Sequence, residues 1–303
     1  MSTTLVLIVI LGFFSALFLI SWFSSRGANT ETFFTGNRKS PWYLVAFGMI
    51  GATISGVTFI SVPGEVGNSA WSYFQFILGN FVGYWVIALV LLPLYYKRNL
   101  VSIYTYLDQR FGLSSYKTGS FFFILSQIIG ASFRLYLVAG VLQISFFDAI
   151  GVPFWVTVLA TITLIWLYTF KAGIKTVVWT DTLQTLFILL SVIVTVIVIL
   201  QQLDMSVGEM VQTVWQHPQS EIFDWNWRSD TNFFKQFIAG IGITIVMTGL
   251  DQNMMQKNLT CKNQHEAQKN LFWFSFSFVL TNLLFLGLGV MLYHYAAEMG
   301  IQI

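Results

Sequence analysis

Charge is scarce in this chain. Asp, Glu, Lys and Arg together make up 9% of its 303 residues, whereas 56% are hydrophobic. A soluble domain carries roughly 25% charged residues, and a globule of this length has no way to keep so much apolar side chain out of water. A lipid bilayer removes the difficulty by acting as an apolar solvent, so the chain reads as an all-α membrane protein. The net charge is +2, which makes no case for a nucleic-acid partner. Cys261 is the single cysteine, so no internal disulfide forms. The N-terminus lacks a basic leader region and a small-residue cleavage site, so its first apolar run is read as a retained helix rather than a signal peptide. His217, His265 and His294 are scattered and no Cys/His cluster accompanies them, which leaves no zinc-type site. There is no phosphate-binding loop, no G-x-S-x-G and no H-E-x-x-H. Nothing points to an enzyme.

What the chain has in quantity is apolar runs and aromatics, the latter 17% of residues, as suits lipid-facing and interfacial positions. A membrane helix needs about 20 mostly apolar residues. Eight stretches meet that need, at about 4–23, 42–62, 71–96, 117–147, 153–170, 174–202, 232–257 and 270–297, and they are expected to form a single transmembrane domain over 1–303. One connection is long, from Leu203 to Thr231, and it is rich in Trp and acid. Alternate connections collect the cations: Arg26, Arg38 and Lys39; Lys97, Arg98, Arg110 and Lys117; Lys171 and Lys175; Lys257, Lys262 and Lys269. Those are twelve of the fifteen basic residues. Cytoplasmic loops accumulate Lys and Arg, so the pattern predicts eight spans with the N-terminus outside. It also places the glycosylation-like Asn258-Leu259-Thr260 on the cytoplasmic side, where it is expected to stay bare.

A polar group at membrane depth has to find a partner inside the protein. The 42–62 stretch contains Gly48, Gly51, Thr53, Ser55, Gly56, Thr58 and Ser61, followed by Pro63-Gly64. Two readings stand for it. Either small residues let helices approach closely, or the helix unwinds and leaves main-chain oxygens for a sodium ion, with the hydroxyls of Thr53, Ser55 and Thr58 facing a solute. For Gly79 and Gly83, packing is the better reading. Arg134 lies mid-helix in the 117–147 stretch, where a guanidinium costs on the order of 3 kcal/mol or more in lipid. It is either the partner of an anionic solute group or a member of an internal ion pair or carbonyl cap. Asp181, between Thr180 and Thr182, is either an ion relay or half of a salt bridge to Lys171 or Lys175. Asp251 and Gln252 either close an inner gate or are solvated among headgroups.

Four motifs occur in order. They are Ser55-Gly56-x-Thr58-Phe59-Ile60-x-x-Pro63-Gly64; Tyr104-x-x-Leu107-x-x-Arg110-Phe111-Gly112; Ala172-Gly173-Ile174-Lys175-Thr176-Val177-Val178-Trp179-Thr180-Asp181-Thr182-Leu183-Gln184; and Gln256-Lys257-Asn258-Leu259 with Glu266-Ala267-Gln268-Lys269. Together they resemble the solute:sodium symporter family across essentially the whole chain. The resemblance implies a LeuT-type fold of two inverted five-helix repeats, here incomplete: one extra N-terminal helix, a full first repeat and the first two helices of the second. Family members usually carry thirteen or fourteen helices. The eighth core helix, which supplies serine ligands, is not among the eight here, so a truncated or partial sequence is expected, one that does not transport by itself. The family's main sodium site uses carbonyls that fall on Gly51 and Ile54, and Asp181 matches its sodium-linked acid. Met247 stands where sugar carriers gate with Tyr, and Thr53 replaces an Asn typical of sugar contacts. With Ser55, Thr58, Arg134 and a further contact from Gln75, the set looks like the sialic-acid branch.

The resemblance therefore implies sodium-coupled symport of a small organic solute, an acidic sugar or other carboxylate, by alternating access. The protein would sit as a multi-pass protein in a bacterial inner membrane, with Na+, the solute and the bilayer as its partners. A transporter-like sensor input domain, or a transport-inactive fragment, is the alternative. A channel usually repeats a pore loop, and none is found.

Overall fold

A computed structural model describes residues 3–26, 29–170 and 173–301. Among the described residues helices are the only extended regular structure, with one isolated bridge between Ser40 and Cys261. The eight apolar stretches all fall on helices, but their boundaries differ from expectation. By length and composition five helical runs suffice to cross a membrane: Gly56–Lys97, Leu113–Ile150, Ile174–Gln202, Phe233–Leu250 and Gln264–Glu298. The apolar helices Ile8–Ser24, Trp42–Thr53 and Phe154–Thr169 are shorter. Lys171 and Ala172 lie outside the described residues.

The chain forms two compact units, Met1–Asn37 with Asn99–Thr180 and Arg38–Arg98 with Asp181–Ile303. The first contains α1 (Thr3–Ser24), α2 (Thr30–Thr35), α7 (Ile103–Phe111), α8 (Leu113–Leu142), α9 (Phe154–Thr169) and the opening turns of α10 (Ile174–Gln202). Polar ties between helices hold this unit, as a lipid environment favours. Ser21 donates to the Tyr168 carbonyl at 2.5 Å, and the Ser24 and Thr176 hydroxyls lie 2.7 Å apart. Gly173 turns the chain into α10 with a positive φ of 52° and packs on Phe33, a place where a side chain would be strained and would clash.

The second unit contains α3 (Trp42–Thr53), α4 (Gly56–Ser69), α5 (Tyr73–Val86), α6 (Leu92–Lys97), α11 (Val207–Gln216), α12 (Phe233–Thr244), α13 (Gln252–Asn258), α14 (Gln264–Glu298) and the remainder of α10. A π-helical turn over Ile87–Leu91 joins α5 to α6. The 42–62 stretch, for which an unwound middle was one of the two readings, is two helices. The second runs on through Pro63 to Ser69, because in a membrane helix neighbouring groups re-satisfy the carbonyl that proline leaves free.

Packing here depends on small residues. α5 and α12 make the most extensive helix contact. A Cβ on Gly79 would run into the Phe237 carbonyl, one on Gly83 would lie 2.8 Å from Thr244 Cβ, and one on Gly240 would meet the Phe76 carbonyl. Gly79 and Gly83 therefore serve close packing. Asn80 fills the same seam, its amide nitrogen donating to the Gly240 carbonyl at 2.9 Å and to Thr244 Oγ1 at 3.0 Å. α14 is the central post of the unit, packed against α3, α4 and α5, with Phe274, Phe285 and Leu271 fully buried.

Candidate functional site: a broken helix and a buried ion pair

The site begins where α3 stops. Ile54 (φ −90°, ψ 107°) and Ser55 (φ −93°, ψ 173°) are extended, and α4 starts afresh at Gly56. Ser55 and Thr58 close a capping box: the Ser55 amide donates to Thr58 Oγ1 at 3.2 Å, and the Thr58 amide donates to Ser55 Oγ at 3.4 Å. In an unbroken helix those two amides would bond to the carbonyls four residues earlier, which are Gly51 and Ile54. The capping box draws both donors away from those two carbonyls. Thr53 turns its hydroxyl back to the Met49 carbonyl at 2.9 Å.

A second element fixes the end of α3. The Gly51 amide donates to Thr185 Oγ1 at 2.9 Å, and Thr185 Oγ1 donates to the Asp181 carbonyl at 2.8 Å. A Cβ on Gly51 would overlap Thr185, so only glycine allows this approach. Thr185 is fully buried. Sequence reasoning missed it; the signal available was its place one helical turn beyond Asp181, on the same face.

Asp181 forms a buried salt bridge, Lys257 Nζ to Asp181 Oδ2 at 2.6 Å, with side chains 11% and 12% exposed. Of the two sequence readings of Asp181, the salt bridge named the wrong partner: Lys171 lies outside the described residues, and the cation found is Lys257, which the sequence reading places with the cytoplasmic-connection lysines. Lys257 is held because the end of α13 is tightly bonded. Thr260 Oγ1 donates to the Lys257 carbonyl at 2.7 Å, the Ser40 amide donates to the Thr260 carbonyl at 3.1 Å, and Asn270 Nδ2 donates to Asn258 Oδ1 at 2.6 Å. Asn258 is fully buried and inaccessible to glycosylation. Cys261, beside it, is buried too, which pushes its thiol up to about 12 and keeps it protonated at neutral pH.

The 232–257 stretch is interrupted as well. α12 passes into a π-helical turn over Ile245–Leu250, and Asp251 (φ −74°, ψ 127°) breaks the chain before α13. The Asp251 carboxylate caps the new helix by accepting from the Met254 amide at 3.0 Å, a role that neither sequence reading of this acid had given it. Met247 is exposed.

Beside α4 opens a cavity of about 330 Å³, lined by Thr58, Ser61, Glu65, Tyr73, Thr231 and Gln236 among others. Of the expected solute contacts only Thr58 borders it. Gln75 is fully buried, and its amide anchors the long connection: Nε2 donates to the Ser72 and Thr231 carbonyls at 3.1 and 2.9 Å, and Oε1 accepts from the Asp224 amide at 3.2 Å. Both of its N–H groups are occupied, which suits an anchor better than a solute contact. Gln75→Leu leaves the Asp224 amide and the Thr231 carbonyl unpaired, at about 1–3 kcal/mol each. Hydrogen exchange is expected to accelerate over 224–232 in that variant; unchanged protection would contradict the anchoring role. Arg134 belongs to the other unit. It is exposed on α8, with no hydrogen bond or ion pair among the described residues.

Three comparisons bear on this arrangement. The sequence matches the description "Sodium:solute symporter family" over residues 33–302. It is 27% identical over 258 residues to the sodium/sialic acid symporter NanT of Aliivibrio fischeri, covering 82% of this chain and 49% of that protein. It is 26% identical to the human sodium/iodide cotransporter, covering 85% of this chain and 41% of that one. The chain thus spans about half the length of these curated relatives. A solved substrate-bound, outward-open Na+-coupled sialic acid symporter superposes with a TM-score of 0.82 at 23% identity, over 96% of this chain and 62% of that one, a likeness of fold. The broken α3–α4 helix, the apolar spans and a family match over nearly the whole sequence lead to one conclusion: this multi-pass membrane chain belongs to the sodium:solute symporter family.

Proposed function

We propose that this protein works in sodium-coupled symport of a small anionic organic solute by alternating access, in a LeuT-type scaffold. In that scaffold α1 is the extra helix, the helices from α3 to α10 make up the first repeat, and α12 to α14 open the second. The basic connections face the cytoplasm of a bacterial inner membrane, with the N-terminus outside. The observation that carries the reading is the interruption at Ile54–Ser55, where the carbonyls of Gly51 and Ile54 lose their helical donors to the Ser55–Thr58 capping box. Desolvated main-chain oxygens at a broken membrane helix suit a sodium ion. The sodium set is Gly51, Ile54 and the Asp181 carboxylate. Glu65, on the cavity wall, raises the local concentration of cations.

For the solute, Thr53, Ser55 and Thr58 present hydroxyls near the break; the assignment of Arg134 to an anionic solute group rests on the sequence resemblance alone. The two curated relatives described above carry sialic acid and iodide by their names, and both of those solutes are anions. Sodium and solute each raise the other's affinity by the same factor.

The test is uptake by membrane vesicles from cells expressing the protein. An inward sodium gradient is expected to drive accumulation of labelled sialic acid or a short monocarboxylate, and a potassium gradient is not. Arg134→Ala is expected to weaken that uptake at least tenfold, equivalent to about 1.4 kcal/mol. Uptake indifferent to sodium removes the symport reading; uptake indifferent to Arg134→Ala removes the anion assignment.

A further inference from the structure

We propose that Lys257 is a tethered rival of sodium for the Asp181 carboxylate and so sets how readily the ion leaves. This rests on the sodium-coupled reading above and names the regulation of that same site. Three observations carry it. The ammonium sits 2.6 Å from Asp181 Oδ2, and a sodium ion on the same buried carboxylate would lie within a few ångströms of this like charge, which the low-dielectric surroundings make unfavourable. The Lys257 main chain is pinned through Thr260, Ser40, Asn258 and Asn270, so the amine is delivered from a fixed corner and stays beside its partner. Asp181 is coupled to the helix break as well: its carbonyl and the Gly51 amide share the Thr185 hydroxyl. A cation changing hands at Asp181 therefore acts on the segment that bears the freed carbonyls.

Sodium and the ammonium group are then negatively linked. When Lys257 holds the carboxylate, sodium is disfavoured there, and when sodium holds it, Lys257 is displaced. Removing the amine relieves the competition, and sodium binds more tightly. Typical couplings of this kind are about 5- to 150-fold.

The experiment measures sodium binding directly, as thermal stabilisation of the purified full chain in lipid nanodiscs titrated with NaCl against KCl at constant ionic strength. Lys257→Met is expected to lower the half-saturating sodium concentration at least fivefold relative to wild type. Lys257→Arg keeps a cation against Asp181 and is expected to leave sodium binding as weak as in wild type or weaker. Adding Asp181→Asn to Lys257→Met is expected to abolish the gain. A Lys257→Met protein that binds sodium no more tightly than wild type overturns the proposal, as does a Lys257→Arg protein that binds it more tightly. If Lys257→Met does not fold, the Lys257→Arg result decides alone. The sodium-coupled reading itself is judged separately, by the sodium dependence of uptake in vesicles, so the two can fail independently.

Discussion

Without sodium, Lys257→Met is expected to destabilise the second unit by about 3–5 kcal/mol, because it leaves the Asp181 carboxylate buried and unpaired. The geometry sets that scale: the pair is short at 2.6 Å and both side chains are nearly enclosed. Asp181→Leu alone is expected to cost a similar amount by stranding the ammonium. The two losses should not add. Replacing both partners removes both buried charges together, and apolar groups of similar volume in place of a buried pair are often neutral or stabilising. A double-mutant cycle on the purified chain, read from denaturation in potassium buffer, measures the coupling. A loss below about 1 kcal/mol for Lys257→Met would place the pair in the class of solvated surface bridges and contradict its enclosure.

Gly240→Ala is expected to cost about 2 kcal/mol. A methyl group there meets the Phe76 carbonyl, and Gly79 Cα lies 3.0 Å from the same position. Two backbones are in contact, so no flexible side chain can move aside. Overpacking of this kind costs typically 1–3 kcal/mol, offset in part by the better helix propensity of alanine, about 1 kcal/mol. Gly242, two residues along α12, meets nothing within 4 Å, so Gly242→Ala is the matched control and is expected to be neutral or slightly stabilising. Equal midpoints for the two variants in a denaturation series would show that the α5–α12 seam is looser than its geometry.

The membrane class, the helical content and the family were all legible from the amino acids, because each depends on local chemistry. Apolar runs declare helices in lipid wherever they fold. The cluster of Gly48, Gly51, Ser55, Gly56 and Thr58 signalled a weak helix, and the break falls within it, at Ile54–Ser55. Helix ends were less legible. Pro63 reads as a stop along the sequence, yet α4 continues past it to Ser69, since what tolerates a proline is the set of neighbours around it.

The site divides in the same way. The sequence by itself determined that an acid at position 181 needs a cation, because an isolated carboxylate in an apolar medium is too costly. Which cation meets it was decided only by the tertiary structure, since Lys257 lies 76 residues away and reads along the chain as one more loop lysine. Likewise a threonine at 185 is ordinary in sequence, and a glycine at 51 is ambiguous. Their meaning appears once two helices bring the Gly51 amide to the Thr185 hydroxyl. Period and composition fix how each segment folds; pairing between distant segments is fixed by burial, where every polar group has to find a partner that local sequence does not name.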